Sequence, residues 1–202
     1  FVNRQDNLPS LFYAHFFWSG LRAFEISFKH NIPLFVASGE SIIPAFTYFS
    51  SNKIKRFRNY LSHVICVSEK NKLESISNGL ALAKNCTVIS NSTDLKLFYP
   101  KNKQIIRKKM GYSENDFIII FVGGFSDRKG VLRVSSAIEL LNDTKIKSIF
   151  IGNGNQIPVC KGILHSGPIK NNLLVDYLNC ADVFVLPTRN EGCCNAIIEA
   201  MA

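Results

Sequence analysis

At 202 residues, 47% hydrophobic and 19% charged, the chain has the make-up of a folded globular protein with room for one large domain or two small ones. Sixteen Phe and an aromatic share of 11% exclude the low-hydrophobicity composition of a disordered segment. A net charge of +9, spread evenly over both halves, suits an anionic substrate or an acidic membrane surface, and no recognised motif or aromatic-basic platform points to nucleic acid.

Short apolar runs alternate with stretches of helical period, the pattern of β-α units around a parallel sheet. In the first half, 11–16, 33–37, 64–67 and 87–89 read as strands, with helices over 20–30, 53–62 and 69–79, the last closed by Gly79. Turn formers and a proline then break the period over 91–100. The expected division is an N-terminal unit over 1–95, a linker over 96–103 and a second unit over 104–202. In that second unit the strands fall at 117–122, 148–151, 162–165 and 183–186. Helices fall at 129–141 and 172–181, and a last one opens near Cys194 or Asn195.

No basic leader with a cleavage site opens the chain, and no apolar run approaches the roughly 18 residues that span a bilayer. With Phe1 first and Ala202 inside a young helix, the sequence reads as a piece of a longer cytoplasmic protein. The six cysteines show no C-x-x-C pair and no zinc-like spacing with His, so buried free thiols and no metal are expected.

Three strand exits carry residues suited to chemistry. The first is Gly123-Gly124-Phe125-Ser126-Asp127-Arg128-Lys129-Gly130, in which two glycines let backbone approach a ligand and two cations precede a helix start. It matches neither a Walker loop nor G-x-G-x-x-G, and alone it reads either as a phosphate cradle or as a solvated basic loop. The second, Gly152-Asn153-Gly154, reads as a tight turn at a strand end where α/β sheets bind ligands. The third runs from Leu186 through Glu191 into a helix carrying Cys194, Asn195, Ala196 and Glu199. Amides at Cys194 to Ala196 suit an anion, and the two carboxylates, eight residues apart, suit the paired hydroxyls of sugars and riboses.

Arg128-Lys129-Gly130, followed by Glu-Gly-x-x-Asn-x-x-x-Glu-Ala-Met-Ala, resembles the donor-side signature of glycosyltransferase family 4. Ala14-His15-Phe16, Ile65-Cys66-Val67-Ser68, Ile89-Ser90-Asn91, Phe98-Tyr99-Pro100 and Ala181 to Thr188 are similar to segments of that family in the same order. The resemblance implies an α/β chain of two Rossmann-like domains in the GT-B fold, both incomplete here. It implies a retaining transfer of a sugar from a nucleotide diphosphate sugar to a glycan or lipid-linked acceptor, in polysaccharide or glycoconjugate synthesis, with no metal or other cofactor. Arg128, Lys129 and Glu191 would then act in catalysis, the cations on the departing diphosphate and Glu191 on the donor sugar. Gly123, Gly124, Cys194, Asn195 and Ala196 would complete donor binding, and Glu199 would hold the ribose. Ser38-Gly39-Glu40 and Ser90 to Asp94 depart from the family pattern on the acceptor side and at the hinge.

His15 ends a strand and reads either as a contact for sugar or acceptor or as a structural histidine. Residues 53–61 put Ile54, Phe57 and Leu61 on one helical face and Lys53, Lys55, Arg56 and Arg58 on the other. That pattern fits either a domain helix or a peripheral contact with acidic lipid at the inner face of the cell membrane. A non-catalytic nucleotide-sugar-binding module and a GT-B epimerase are the competing functions.

Overall fold

The computed structural model describes residues 8–40 and 42–202. Contacts divide the chain into two compact units, one reaching Asn91 and also taking in Glu191–Cys193, the other Ser92–Asn190 with Cys194–Ala202. Each is built on its own four-stranded parallel sheet.

The first unit runs β1 (Phe12–His15), α1 (Phe16–Lys29), β2 (Leu34–Ser38), α2 (Ser51–Tyr60), β3 (His63–Cys66), α3 (Glu69–Ser77) and β4 (Cys86–Val88), with the strands in sequential order. Phe17, Leu21 and Phe24 of α1 and Phe57 of α2 are fully buried against Leu34, Val36 and Val64 of the sheet. The β1 strand expected to reach residue 16 stops at His15, and α1 starts four residues earlier than its period indicates. The cause is a tertiary cap. Phe16 takes φ +70°, and the Glu40 carboxylate accepts hydrogen bonds from Phe17 N (2.7 Å), Ser38 Oγ (2.9 Å) and Gly39 N (3.0 Å). A bulky residue in the left-handed region costs on the order of 1–3 kcal/mol, which the carboxylate at the positive helix end offsets.

The second unit runs α4 (Lys103–Met110), β5 (Phe117–Val122), α5 (Val131–Leu141), β6 (Ile146–Ile151), β7 (Ile163–Gly167), α6 (Asn171–Cys180), β8 (Val183–Phe184) and α7 (Asn195–Met201). Its sheet order is β7-β6-β5-β8. Both faces of the central strands are covered, which is why β5 reads as one unbroken apolar run. Ile118, Ile120, Ile149 and Ile151 pack with Leu174 and Val175 of α6 on one side, and Phe121 and Phe150 pack with Val131, Val134 and Ile138 of α5 on the other.

Helix α4 falls where sequence period assigns nothing, starting at the edge of the expected linker. Asn102 caps its first turn through Ile105 N (3.1 Å) and Gly111, at φ +73°, closes it. Tertiary bonding holds it. Arg107, its side chain only 4% exposed, donates to the carbonyls of Cys180 (2.8 Å), Glu114 (3.2 Å) and Asp116 (3.0 Å) and to Asp182 Oδ2 (2.6 Å). The same Asp182 oxygen accepts Ile118 N (2.7 Å), so a guanidinium-carboxylate pair, buried at the arginine and partly exposed at the carboxylate, ties α4 to the amino ends of β5 and β8. Burial pushes the Asp182 carboxyl up, but bonds from Lys103, Ile118 N and Arg107 outweigh it and hold the group below its ordinary value.

Three further expectations change. The strand expected over 183–186 keeps only Val183–Phe184, because the chain turns out of the sheet after Val185 N bonds to Ile120 O (2.8 Å). In α2, Phe57 is buried and Ile54 packs against the core, so the apolar face lies inward, while Lys53 and Arg56 pair with Glu25 of α1 at 3.6 and 3.9 Å. Cys66, Cys86 and Cys180 are buried free thiols, as composition indicates, but Cys160, Cys193 and Cys194 are half-buried. Among the described residues no helix is long and apolar enough to cross a membrane, and no group of three or more His, Cys, Asp or Glu is placed to hold a metal ion.

Candidate functional site

In an open parallel sheet, ligands settle at the carboxyl ends of the strands where strand order reverses. In the second unit the chain leaves β5 for β6 on one side, while β8 lies on the other, so the reversal falls between β5 and β8. The loop Gly123–Gly130 leaves β5 there and the loop from Leu186 leaves β8 beside it. A cleft of about 370 Å³ opens on the β5 side of that reversal, at the carboxyl ends of β5, β6 and β7. Val122 and Gly123, Ile151 to Asn153, and Pro168 with Ile169 form its floor at the ends of β5, β6 and β7. Asn195, Ala196 and Glu199 of α7 close one wall, and Asn171 and Leu174 of α6 belong to the lining as well.

The glycines make this floor. A Cβ on Gly152 would run into the Gly123 carbonyl oxygen, so the β5 and β6 exits lie backbone against backbone, joined by Gly123 N to Ile151 O (2.9 Å) and Phe125 N to Asn153 O (2.7 Å). The tight turn expected at Gly152-Asn153-Gly154 is thus also a packing requirement.

Gly123, Asn195, Ala196 and Glu199 are brought to one cleft. Lys129 stands at its edge, with Nζ 3.9 Å from Cys194 Sγ and its side chain beside Gly123. Arg128 is exposed at its guanidinium and donates from Nη1 to Asn190 O at 2.9 Å, while Arg189 N (2.9 Å) and Thr188 Oγ1 (3.2 Å) donate to its own carbonyl. Gly124 is exposed in the same loop. Glu199 is half-buried, and that burial pushes its carboxyl above the ordinary value. Glu191 groups with the first unit, whereas Glu199 belongs to the second, so the two carboxylates do not share one unit. His15 lies in the first unit too, exposed, its ring edge-on to Tyr13 with centroids 5.4 Å apart.

Sequence reasoning missed the α6 wall and the clamp at Arg133, a helix residue whose Nη2 donates to Asp127 O (2.8 Å) and Pro187 O (2.9 Å). The wall could have been sought at the β7 exit, the third strand end of the sheet. Arg133 carries no local signal.

Residues 116–202 match the family model described as Glycosyl transferases group 1. The chain is 30% identical over 207 residues to the putative teichuronic acid biosynthesis glycosyltransferase TuaC of Bacillus subtilis (strain 168), covering 100% of this chain and 53% of that protein. It is 25% identical over 166 residues to the N,N'-diacetylbacillosaminyl-diphospho-undecaprenol alpha-1,3-N-acetylgalactosaminyltransferase of Campylobacter jejuni, covering 76% of this chain and 44% of that one. The solved structure of Anabaena Alr3699/HepE in complex with UDP superposes with a TM-score of 0.73 at 19% identity, over 95% of this chain and 57% of that chain. The chain therefore spans about half the length of the curated relatives it matches. The structural likeness extends over both units, and the α/β architecture expected from the sequence, two Rossmann-like domains of the GT-B fold, is the one observed.

Proposed function

We propose, given that residues 116–202 belong to the glycosyl transferases group 1, that the intact protein is a retaining glycosyltransferase. It moves a sugar from a nucleotide diphosphate sugar to a lipid-linked or glycan hydroxyl during surface polysaccharide synthesis. The observation that carries this reading is the cleft at the carboxyl ends of β5, β6 and β7, whose glycine-lined floor faces a half-buried carboxylate, with a lysine beside Gly123 just outside the lining. The relatives support the acceptor class, since the Campylobacter jejuni enzyme is named for a diphospho-undecaprenol acceptor. The neighbour solved with UDP supports the donor class. In this reading Arg128 and Lys129 meet the diphosphate, Glu199 holds the ribose hydroxyls and Glu191 meets the donor sugar. The leaving oxygen takes the acceptor proton, so no protein base and no metal are required. The competing binding-module and epimerase readings lack a specific observation in their favour.

Calorimetry on the full-length protein with UDP, and with ADP and GDP alongside, tests the donor site. Hydrogen bonds to a charged group are worth about 1.5–3 kcal/mol, so Glu199→Ala is expected to weaken nucleotide binding by roughly 10- to 100-fold. The ribose hydroxyls donate to the ionised carboxylate. Because the apo carboxyl sits above its ordinary value, wild-type affinity falls as pH drops through that raised value, and Glu199→Gln, which does not titrate, loses this component. Unchanged affinity in both variants removes Glu199 from the site.

A peripheral position at the inner face of the membrane is proposed as an electrostatic contact alone, because the apolar face of α2 is spent in the core. Each basic side chain near an anionic surface contributes about 1 kcal/mol. Replacing Lys53, Lys55, Arg56 and Arg58 with Ser is expected to abolish sedimentation with phosphatidylglycerol vesicles at low salt. Equal sedimentation of wild type and variant sinks the contact.

A further inference from the structure

We infer that Arg133 is a positioning residue for the donor diphosphate, clamping the β5 exit loop to the β8 exit loop and so fixing where Arg128 and Lys129 stand. This rests on the donor-site reading above. Arg133 lies in the first turn of α5 and is not part of the cleft lining. Its Nη2 donates to Asp127 O at 2.8 Å and Pro187 O at 2.9 Å, with Arg128 O at 3.5 Å, and its Nη1 pairs with Asp127 Oδ1 at 3.1 Å. The other Asp127 oxygen takes Arg189 Nη1 at 2.6 Å, so each loop gives an anchor to the other.

A single planar fork thus reaches carbonyls on two neighbouring strand exits, a geometry that a lysine ammonium cannot reproduce. Gly130 supplies the room. It stands at φ +83°, and a Cβ there would lie 2.6 Å from Arg133 Nη2 and 2.7 Å from Pro187 O. Gly130 N in turn bonds to Ser126 O (2.9 Å), closing the turn that presents Arg128 and Lys129. An exposed ion pair with Asp127 alone would contribute little, and the carbonyl contacts are what distinguish this arginine from a solvated surface charge.

The clamp fixes the diphosphate contacts and leaves the nucleoside side of the cleft alone. In the full-length protein, Arg133→Ala and Arg133→Lys are both expected to weaken UDP binding roughly tenfold while UMP affinity stays within about twofold. Hydrogen exchange should quicken at 128–130 and 188–190 and remain unchanged in β5 and β6. Gly130→Ala is expected to show the same UDP-to-UMP split. Equal losses for UDP and UMP, a lysine variant that behaves as wild type, or unaltered exchange at both loops overturns the clamp. A wild-type protein that binds none of UDP, ADP and GDP overturns the donor-site reading instead, and the exchange data still decide whether Arg133 holds the loops.

Discussion

Substituting Lys129 with methionine is expected to lower the turnover of sugar transfer by roughly 10²–10³-fold and to leave the unfolding temperature in place. In the proposed metal-independent transfer the departing diphosphate gains negative charge as the glycosidic bond breaks, and the cations beside the cleft would carry that charge. Lys129 is the cation that reaches the cleft edge, beside Gly123 and Cys194. Its contact strengthens as charge develops, so kcat should fall by more than donor affinity. The variant makes little demand on folding, because Lys129 is only half-buried and methionine keeps the length of its apolar stem. The assay is release of nucleoside diphosphate from a panel of nucleotide sugars by the full-length protein, with and without a lipid-linked acceptor. A loss below about fivefold removes Lys129 from the leaving-group site. Binding without turnover by the wild type favours the binding-module reading, and product formation without acceptor favours the epimerase.

Arg107→Met is expected to destabilise the second unit by about 2–4 kcal/mol, chiefly from carbonyls left without a donor, which for a chain of this size is a fall in unfolding temperature of roughly 4–16 °C. Methionine fills most of the volume, so the loss comes from polar groups. Three carbonyls lose a donor and Asp182 loses its closest cation. Lys103, on the other Asp182 oxygen at 2.8 Å with its side chain 45% exposed, offers a contrast, and Lys103→Ala should cost less than about 1 kcal/mol. The sign of the pH dependence follows from Asp182. Its folded value is depressed, so its contribution is present above the unfolded carboxylate value and is lost as pH falls through the folded one. Arg107→Met should therefore flatten the acid limb of the stability curve. Thermal unfolding across pH checks both expectations, and a shift below about 2 °C at neutral pH rejects the buried arginine and its bonds as a main support.

Much of the second sheet is legible in sequence because its burial is two-sided. Phe117–Val122 is apolar at every position, and that run alone marks both ends of the strand. The β1-α1 boundary is illegible for the opposite reason, since Glu40, far along the chain, fixes the helix start and permits Phe16 its left-handed backbone. Helix α4 offers a cap at each end, but its apolar face is only Ile106 and Met110, Ile105 is 66% exposed and the other buried anchor is an arginine, so the apolar stripe is too short to announce it. The candidate site divides along the same line. Gly123, Asn195, Ala196 and Glu199 could be assembled from motif spacing because each stands at a strand exit or helix start. The α6 wall and the Arg133 clamp depend on side chains meeting across elements, which spacing does not encode.

The Arg107-Asp182 pair sits at the amino ends of β5 and β8, and the cleft opens at the carboxyl ends of the same sheet. The second unit therefore keeps its foundation and its chemistry on opposite edges. Cleft residues such as Asn171 and Ala196, which belong to none of the core clusters, can be exchanged without disturbing what holds the sheet together. If the cleft is the donor site proposed above, substitutions along the upper rim can alter what it binds while the lower rim goes on holding the sheet.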